Sequence, residues 1–472
     1  MIIGSKKFTE SVILGEMISQ KLNHSGYSSM HKRELGGTRV LWNGLLQGEI
    51  DIYIEYTGTI IQEIFAGESI DENNLSEKLK SFGVLMSKPL GFNNTYAIGM
   101  LRKEAEELNI NSISDLRDHL ELKFGLTNEF MDRRDGWSAL RNKYNLINHN
   151  AIGIDHDIAY RGLAEGSINV IDLYSTDAEI KYYDIKKLKD DKKHFTDYHA
   201  VILYRSELLE KFPGIEQVLL KFEGAINADE MITLNASVKI NGSSEISAAG
   251  NFLNKKFTIE IENVEKTFIE RLIKNTREHL FLVLISLFFA IIVSIPLGIY
   301  ARKNEPLGKI ILGLVGIIQT IPSLAILVFM IPFFGIGAEP AIVALFLYSL
   351  LPIVRNTYLG LEDIDTQIKE SAIVLGLSKK YILRKIELPL AARSIIAGVK
   401  TSAVINIGTA TLGALIGAGG YGQPILTGIR LDNIQLILEG AVPAAMLAIL
   451  AQLAFDAIEK LIVPKGLRIK AQ

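Results

Sequence analysis

The chain has 472 residues and no cysteine, and its 50 Lys and Arg residues nearly balance its 53 Asp and Glu residues. The lack of cysteine excludes disulfides, thiolate metal sites and cysteine nucleophiles, and the balanced charge gives no indication of nucleic acid as a partner. The length predicts two or three domains.

The first half of the chain alternates short apolar runs with helical patterns. The runs are bounded by Gly, Asn and Asp, and they include IDIYIEY at 50–56, YAIGML at 96–101 and AVILYR at 200–205. Strands interleaved with helices predict an α/β fold, and the short apolar strands predict buried parallel sheets. No basic and apolar leader precedes the first run, so no signal peptide is recognised. Either the native start lies upstream, or the chain is trimmed, or this half stays in the cytoplasm.

The hydropathy changes near residue 279. Charges are scattered through 1–278, whereas 280–301 carries none and is long enough to cross a hydrocarbon core of about 30 Å as a helix. Further apolar segments follow. We predict five membrane-spanning helices, at 279–301, 310–334, 341–360, 395–418 and 434–460.

Basic residues are concentrated in alternate loops of this second half. They occur in 302–309, in 355–394 and in the tail at Lys465, Arg468 and Lys470, whereas 335–340 and 419–433 hold only Arg430. Because cytoplasmic loops are rich in Lys and Arg, we expect a cytoplasmic C-terminus and residues 1–278 outside. Three basic residues on the outer side of the first span oppose this orientation, namely Arg271, Lys274 and Arg277.

The segment 355–394 carries a motif at recognisable spacing. Glu370-Ser371-Ala372 is followed by Gly376 and then by Leu388-Pro389, which predicts a helix, a glycine turn and a second helix. The pattern resembles the EAA motif of bacterial ABC-importer permeases, with Ser371 in place of an alanine. The resemblance implies that this segment docks onto an ATPase subunit. The chain contains no G-x-x-x-x-G-K-[ST] match, so the ATPase would be a separate chain. The expected docking residues are Glu370, Ser371, Ala372, Gly376, Leu388 and Pro389.

The first half resembles the substrate-binding proteins of osmoprotectant importers. The segments that carry the resemblance are GSKKFTESVILGEM at 4–17, LGGTRVLWNGLLQGEIDIYIEYTGT at 35–59, GFNNTYAIGM at 91–100, EFMDRRDGW at 129–137, DLYSTDAEI at 172–180 and FTDYHAVILYR at 195–205. The remainder resembles the permease of the same systems. The resemblance implies a two-lobed α/β binding domain over 1–265, with lobes at about 1–97 plus 201–265 and at 98–200. An all-α permease domain would follow over 266–472.

The chemistry of this family's ligands indicates which side chains the binding site needs. A trimethylammonium group has no N–H to donate, so proteins surround it with aromatic faces, and a carboxylate is best held by an arginine fork. The resemblance implies an aromatic cage of Tyr56, Tyr96, Tyr174 and Tyr198, with Asn94 orienting the cage or touching ligand. It implies a carboxylate site of Lys6, Thr59 and Arg133, with Arg134 as the neighbour that could be mistaken for Arg133.

Catalytic and metal motifs find no support in the sequence. The eight His residues show no H-E-x-x-H spacing, and no G-x-S-x-G elbow occurs. His156 lies between Asp155 and Asp157, but we expect a solvated loop there rather than a metal site. No cofactor is expected.

These patterns together predict the binding and permease subunit of an ATP-driven ABC importer for glycine betaine, carnitine or choline, with no enzymatic activity of its own. It would lie in the plasma membrane with its binding domain outside, as a homodimer joined to separate ATPase subunits, and bind no nucleic acid. Two alternatives remain: an importer for another small amino-acid-like solute, and a membrane receptor or channel that senses the ligand.

Overall fold

The computed structural model describes residues 1–261 and 265–463. The basic tail residues Lys465, Arg468 and Lys470, used above to predict orientation, lie outside this range. The chain divides into two compact units, Met1–Glu265 with Arg430–Asp432, and Lys266–Ile429 with Asn433–Gln472.

The strands of the first unit form three sheets. They are β1 (Ile2–Gly4), β2 (Met30–Lys32), β3 (Ile52–Tyr56), β4 (Val84–Met86), β5 (Tyr96–Leu101), β6 (Phe124–Thr127), β7 (Ala151–Ile154), β8 (Ile171–Tyr174), β9 (Ile185–Lys187) and β10 (Ala200–Arg205). The first sheet has the order β2-β1-β3-β10-β4, the second has the order β8-β5-β9, and β6 and β7 form a separate pair. The chain crosses from the first sheet to the second after β4 and returns after β9.

The strand directions differ in part from the predicted parallel sheets. Strands β1, β2 and β3 are parallel, as are β6 and β7. In contrast, β10 is antiparallel to both β3 and β4, and β5 is antiparallel to both β8 and β9. The prediction of parallel sheets is therefore wrong for these pairs, because apolar character reports burial on both faces and not strand direction.

Helices cover the sheets of the first unit. They are α1 (Thr9–His24), α2 (Thr38–Gln47), α3 (Thr57–Thr59), α4 (Glu72–Lys80), α5 (Arg102–Glu107), α6 (Asn128–Asp132), α7 (Trp137–Tyr144), α8 (His156–Ala164), α9 (Glu179–Tyr182), α10 (Glu207–Lys211), α11 (Ile215–Leu219), α12 (Ala228–Lys239) and α13 (Glu245–Phe257). Asp71 and Asn227 start α4 and α12 as capping boxes, which satisfy backbone N–H groups that the helix leaves free. Ile13 and Met17 of α1 share a buried core with Ile54 of β3. The predicted α/β class of this part is confirmed.

The second unit is helical. Its helices are α14 (Phe268–Lys303), α15 (Glu305–Thr320), α16 (Ser323–Phe334), α17 (Ala338–Glu362), α18 (Thr366–Val374), α19 (Lys379–Ile382), α20 (Leu388–Thr409), α21 (Gly422–Arg430) and α22 (Ile434–Ile462). Among the described residues, four helices are long and apolar enough to cross a membrane, or five if the bent pair α15–α16 is one span. The predicted helical membrane domain of about five spans is confirmed.

The boundaries of the spans differ from the prediction at several points. The helix α14 begins at Phe268 rather than at residue 279, because Thr267 and Glu270 form a capping box before the charged first turns. The helix predicted at 310–334 is broken and bent by 98°. Pro322 lacks an N–H and forces the preceding Ile321 out of the helical region, at ψ 128°. The predicted loop 419–433 contains α21.

A buried polar contact ties three of these helices together. Asn406 of α20 donates from its Nδ2 to the Oγ of Ser286 on α14 at 3.1 Å and to the Oγ of Ser349 on α17 at 2.9 Å. All three side chains are fully buried. Polar side chains that bond between helices in this way stabilise bundles whose outer surface is apolar.

The predicted helix–glycine–helix is present between α17 and α20. The helix α18 ends at Val374, Gly376 has a φ of +76°, and α19 starts at Lys379. The backbone N–H of Gly376 donates to the carbonyl of Ile373 at 2.9 Å. A Cβ at Gly376 would meet nothing in this chain within 4 Å, so the turn selects glycine through its left-handed backbone and not through crowding.

Candidate functional site

The four predicted cage tyrosines lie in one aromatic cluster of the first unit. The ring of Tyr96 lies 4.9 Å from that of Tyr174 and 5.8 Å from that of Tyr198, measured between centroids. Tyr56 joins the cluster through Phe8, whose ring is 6.2 Å from Tyr56 and 5.8 Å from Tyr174. The cluster thus presents several aromatic faces from separate parts of the sequence.

Strand pairing is what brings these rings together. Tyr96 and Tyr174 are directly opposite each other in the antiparallel pair β5–β8, which places their side chains on the same face. Tyr56 ends β3 and pairs with Ala200 of β10, and Tyr198 comes just before that strand. Two crossing segments connect the first and second sheets, the first at 87–95 and the second at 188–199. The cluster therefore lies where these segments meet the ends of the two sheets.

Arg133 is buried beside the cluster. Its guanidinium forms a two-bond fork with the carboxylate of Asp135, at 2.8 Å for each bond, and donates to Glu63 at 3.1 Å. It also donates to the hydroxyl of Tyr198 at 2.8 Å and lies 5.1 Å from the centroid of Tyr96. Burial would raise the pKa of the Asp135 carboxyl, but the hydrogen bond and charge of Arg133 hold that pKa below its ordinary value.

Arg134, the neighbour in sequence, has an exposed side chain. The structure therefore brings the predicted arginine, and not the adjacent one, to the tyrosines. The difference follows from the end of α6 at Asp132, after which Arg133 has extended backbone and its side chain points toward the interior.

Lys6 and Thr59 lie near Tyr56. The ammonium group of Lys6 pairs with the carboxylate of Glu55, which is completely buried, and lies 5.6 Å from the ring centroid of Tyr56. Thr59 is buried at the end of α3, within one turn of Tyr56. Burial raises the pKa of the Glu55 carboxyl, although the charge of Lys6 acts to lower it. Lys6 is thus a buried, paired cation and not a solvated surface charge.

Asn94 supports the cluster from the first crossing segment. Its backbone N–H donates to the carbonyl of Tyr198 at 3.0 Å, and its Nδ2 donates to Glu10 at 2.8 Å. Glu10 in turn accepts a hydrogen bond from the hydroxyl of Tyr56 at 2.6 Å. Asn94 therefore links the crossing segment to two of the four tyrosines.

Comparison with known proteins identifies this arrangement. Residues 1–255 match the family model OpuAC, the substrate binding domain of ABC-type glycine betaine transport systems. The chain belongs to this family. Residues 294–467 match the inner membrane component of binding-protein-dependent transport systems, so the OpuAC-type binding domain is fused to a transport permease domain, as the resemblances predicted.

Curated relatives cover both parts of the chain. The permease protein OpuCB of a glycine betaine/carnitine/choline transport system from Bacillus subtilis is 42% identical over 44% of this chain and 97% of its own length. The ergothioneine transport permease/ergothioneine binding protein EgtU of Helicobacter pylori is 31% identical over 54% of this chain, and the match spans 47% of that protein. A crystal structure of a glycine betaine/carnitine/choline ABC transporter aligns with 54% of this chain and 98% of that chain, at 27% identity and a TM-score of 0.48. The two family matches together make the chain an ABC transporter permease domain fused to an OpuAC-type binding domain.

The OpuAC-type site contains further residues to which the sequence analysis gave no ligand role. They are Phe8, Glu10, Glu55, Gly58, Phe130, Asp135, His156 and Phe195. Seven of them lie inside the segments that carried the family resemblance. A search of those segments for every aromatic and acidic residue would have found six, all except Gly58. His156 lies outside those segments.

His156 corrects one of the predictions. It begins α8 rather than lying in a solvated loop, and its side chain is half-buried. Its Nε2 lies 3.1 Å from the carboxylate of Asp177, and its ring centroid lies 4.8 Å from that of Tyr174. Among the described residues, no group of three or more His, Cys, Asp or Glu side chains is placed to hold a metal.

Gly58 lets the backbone approach the cluster. A Cβ at this position would lie 2.7 Å from two ring carbons of Tyr198, closer than real Cβ contacts. The ring of Tyr198 therefore packs directly against the backbone of α3, and any side chain at Gly58 would displace it.

The predicted docking residues of the permease domain lie in and after α18. Glu370, Ser371 and Gly376 are exposed, and the adjoining side chain of Val374 is 86% exposed. Ala372 is buried instead and lines a shallow groove with Ile368, Leu375, Leu377 and Ile386. Leu388 and Pro389 form the first turn of α20. The segment thus presents both a groove and exposed apolar side chains.

Proposed function

We propose that this chain is the binding and permease subunit of an ATP-driven importer for quaternary-ammonium osmoprotectants. The observation that carries the proposal is the cluster of Tyr56, Tyr96, Tyr174 and Tyr198 with a buried arginine at its edge. Aromatic faces attract a trimethylammonium group with roughly 0.5–2 kcal/mol each. Four of them could supply much of the roughly 8 kcal/mol of a micromolar complex.

The ligand roles divide between the two ends of the cluster. The tyrosines would surround the cation, with Asn94 fixing their positions, and Lys6, Thr59 and Arg133 would hold a carboxylate. The names of relatives support this assignment, since they transport glycine betaine, carnitine, choline or ergothioneine. In this proposal 1–265 is the binding domain, with lobes at about 1–97 plus 201–265 and at 98–200, and 266–472 is the permease domain.

The permease domain would couple the ligand site to an ATPase subunit. Glu370, Ser371, Gly376 and the exposed apolar side chains of α18 would seat a separate ATPase subunit. Ala372 would contribute by packing under that surface, and Leu388 and Pro389 by fixing the start of α20. Two copies of the chain would pair in the plasma membrane, with the binding domain on the outer side.

A calorimetric titration of the full-length chain in detergent tests the ligand class. Glycine betaine, carnitine, choline and proline betaine form one set of ligands, and glycine and proline, which lack the N-methyl groups, form the other. We expect binding of at least one methylated compound at a Kd of about 1–10 µM. Binding of only the unmethylated set would favour an importer for other amino-acid-like solutes, and no binding in either set would overturn the proposal.

Gly58→Ala is expected to weaken that binding by roughly tenfold, because overpacking of this kind costs about 1–3 kcal/mol. The added methyl group would displace the Tyr198 ring, whose hydroxyl accepts a hydrogen bond from Arg133. The matched control is Gly37→Ala, since a Cβ at Gly37 would have its nearest neighbour, Glu129, at 3.7 Å. Equal affinities for both variants would mean that the position of the Tyr198 ring is unimportant.

A further inference from the structure

Glu10 is a buried carboxylate at the edge of the tyrosine cluster that the proposed ligand roles leave unused. Its carboxylate accepts hydrogen bonds from the hydroxyl of Tyr56 at 2.6 Å, the Nδ2 of Asn94 at 2.8 Å and the hydroxyl of Thr176 at 2.6 Å. A fourth bond comes from the Nδ2 of Asn235 at 3.2 Å. These four donors belong to β3, to the first crossing segment, to the segment after β8 and to α12.

The hydrogen-bond donors to Glu10 carry no positive charge. Among the described residues, all four are neutral side chains, and Lys6, which lies over the ring of Tyr56, is paired with Glu55. Each donor supports the ionised form, since a carboxylate only accepts hydrogen bonds. Burial, with the charge of Asp177, keeps the pKa of the Glu10 carboxyl above its ordinary value, although the bonds from Thr176, Tyr56 and Asn235 act to lower it. A buried carboxylate with neutral partners costs stability, which a cationic ligand would offset.

The position of Glu10 suits that role. A cation resting on the ring of Tyr56 would lie roughly 6–7 Å from the carboxylate, given the usual spacing of cation–π contacts and the hydrogen bond to the Tyr56 hydroxyl. Glu10 is only 3% exposed. Charges at such a distance interact far more strongly in a buried site than in water.

We propose that Glu10 is a specificity-determining residue, whose carboxylate makes the tyrosine cluster prefer a cation over an uncharged group of the same shape. Aromatic rings alone give a modest preference, because they also pack well against neutral tert-butyl groups. The fixed negative charge adds an electrostatic attraction that acts on a cation and not on a neutral group. This inference rests on the proposed binding of quaternary ammonium compounds.

Two probes of matched shape separate charge from packing. Choline and 3,3-dimethylbutan-1-ol differ at one atom, since carbon replaces the charged nitrogen. The full-length chain in detergent is titrated with both, as wild type and as Glu10→Gln. We expect Glu10→Gln to lower the affinity for choline by roughly 10- to 50-fold. The affinity for the neutral alcohol should change by no more than about threefold, because only a hydrogen-bonding pattern is altered.

The controls keep a structural effect apart from an electrostatic one. Thr176→Val removes one donor and keeps the charge, so it should shift both probes alike, and Glu10→Asp should restore part of the preference for choline. Equal losses for both probes in Glu10→Gln would overturn the inference and make Glu10 a structural residue. Failure of the wild type to bind choline or any other methylated cation would instead reject the proposed function.

Discussion

Gly376→Asp is expected to abolish uptake of the ligand while leaving its binding unchanged. The glycine has a φ of +76° immediately after α18, and a residue with a side chain pays roughly 1–2 kcal/mol for that conformation. The new carboxylate would also stand beside Val374, in the apolar surface that we assign to ATPase docking. In the proposed importer the ATPase is a separate subunit, so the energy of ATP hydrolysis would reach the membrane spans through this contact. The measurement is uptake of radiolabelled glycine betaine by cells that coexpress the chain with a cognate ABC ATPase.

Gly376→Asn is the matched control for this experiment. Asparagine tolerates the left-handed region about as well as aspartate but adds no charge, so it should retain much of the uptake. Val374→Asp, which leaves the backbone of the turn alone, should be as inactive as Gly376→Asp and should release the ATPase in pull-downs. Normal uptake and ATPase association in both aspartate variants would show that α18 does not dock the motor, and a receptor or channel function would then gain support.

Arg133→Ala is expected to separate ligands that carry a carboxylate from those that do not. Affinity for glycine betaine should fall by roughly 30-fold or more, since truncating one partner of a buried charge pair costs about 2–5 kcal/mol. Choline carries no carboxylate, so it has no ion pair with Arg133 to lose. Its affinity should change little or rise, because Asp135 and Glu63 would then lie near the cation without their guanidinium. The measurement is the ratio of the two dissociation constants for the full-length chain.

Arg134→Ala provides the control for Arg133→Ala, because its side chain is exposed and one position away. It should leave both affinities and the unfolding temperature unchanged. Arg133→Ala should lower that temperature as well, since the half-buried carboxylates of Asp135 and Glu63 both lose their partner. Equal loss of glycine betaine and choline would mean that Arg133 only holds the fold together.

Local patterns in the sequence were enough to predict the general organisation. The uncharged stretch 280–301 predicted a membrane span because its length and composition are sufficient for one. The spacing from Glu370 to Gly376 predicted the helix and turn that are observed. The break at Pro322 also follows from a local rule, because the residue before a proline avoids the helical region. The apolar character of 310–334 predicts an unbroken span and conceals this signal.

Membership of the family and the types of residue at the site followed from the sequence alone. The segments that resemble the family contain the four tyrosines, Asn94 and Arg133, and they identify these residues without any knowledge of contacts among them. Ring type and sequence order are local properties, so they can be read without a fold. Nothing local indicated that Arg133 is paired with Asp135 and Glu63 or that Lys6 is paired with Glu55.

Only the tertiary structure decided which side chains meet. Tyr96 and Tyr174 are 78 residues apart, and they become neighbours because β5 and β8 pair in one antiparallel register. Glu10 reaches Thr176 over 166 residues and Asn235 over 225 residues. Such contacts depend on strand direction and register, which are set by the packing of the whole domain and not by the residues at either end. The sequence therefore determined the chemistry available to this protein. The fold determined which buried charges are paired, and that Glu10 accepts hydrogen bonds from four neutral side chains of the described residues.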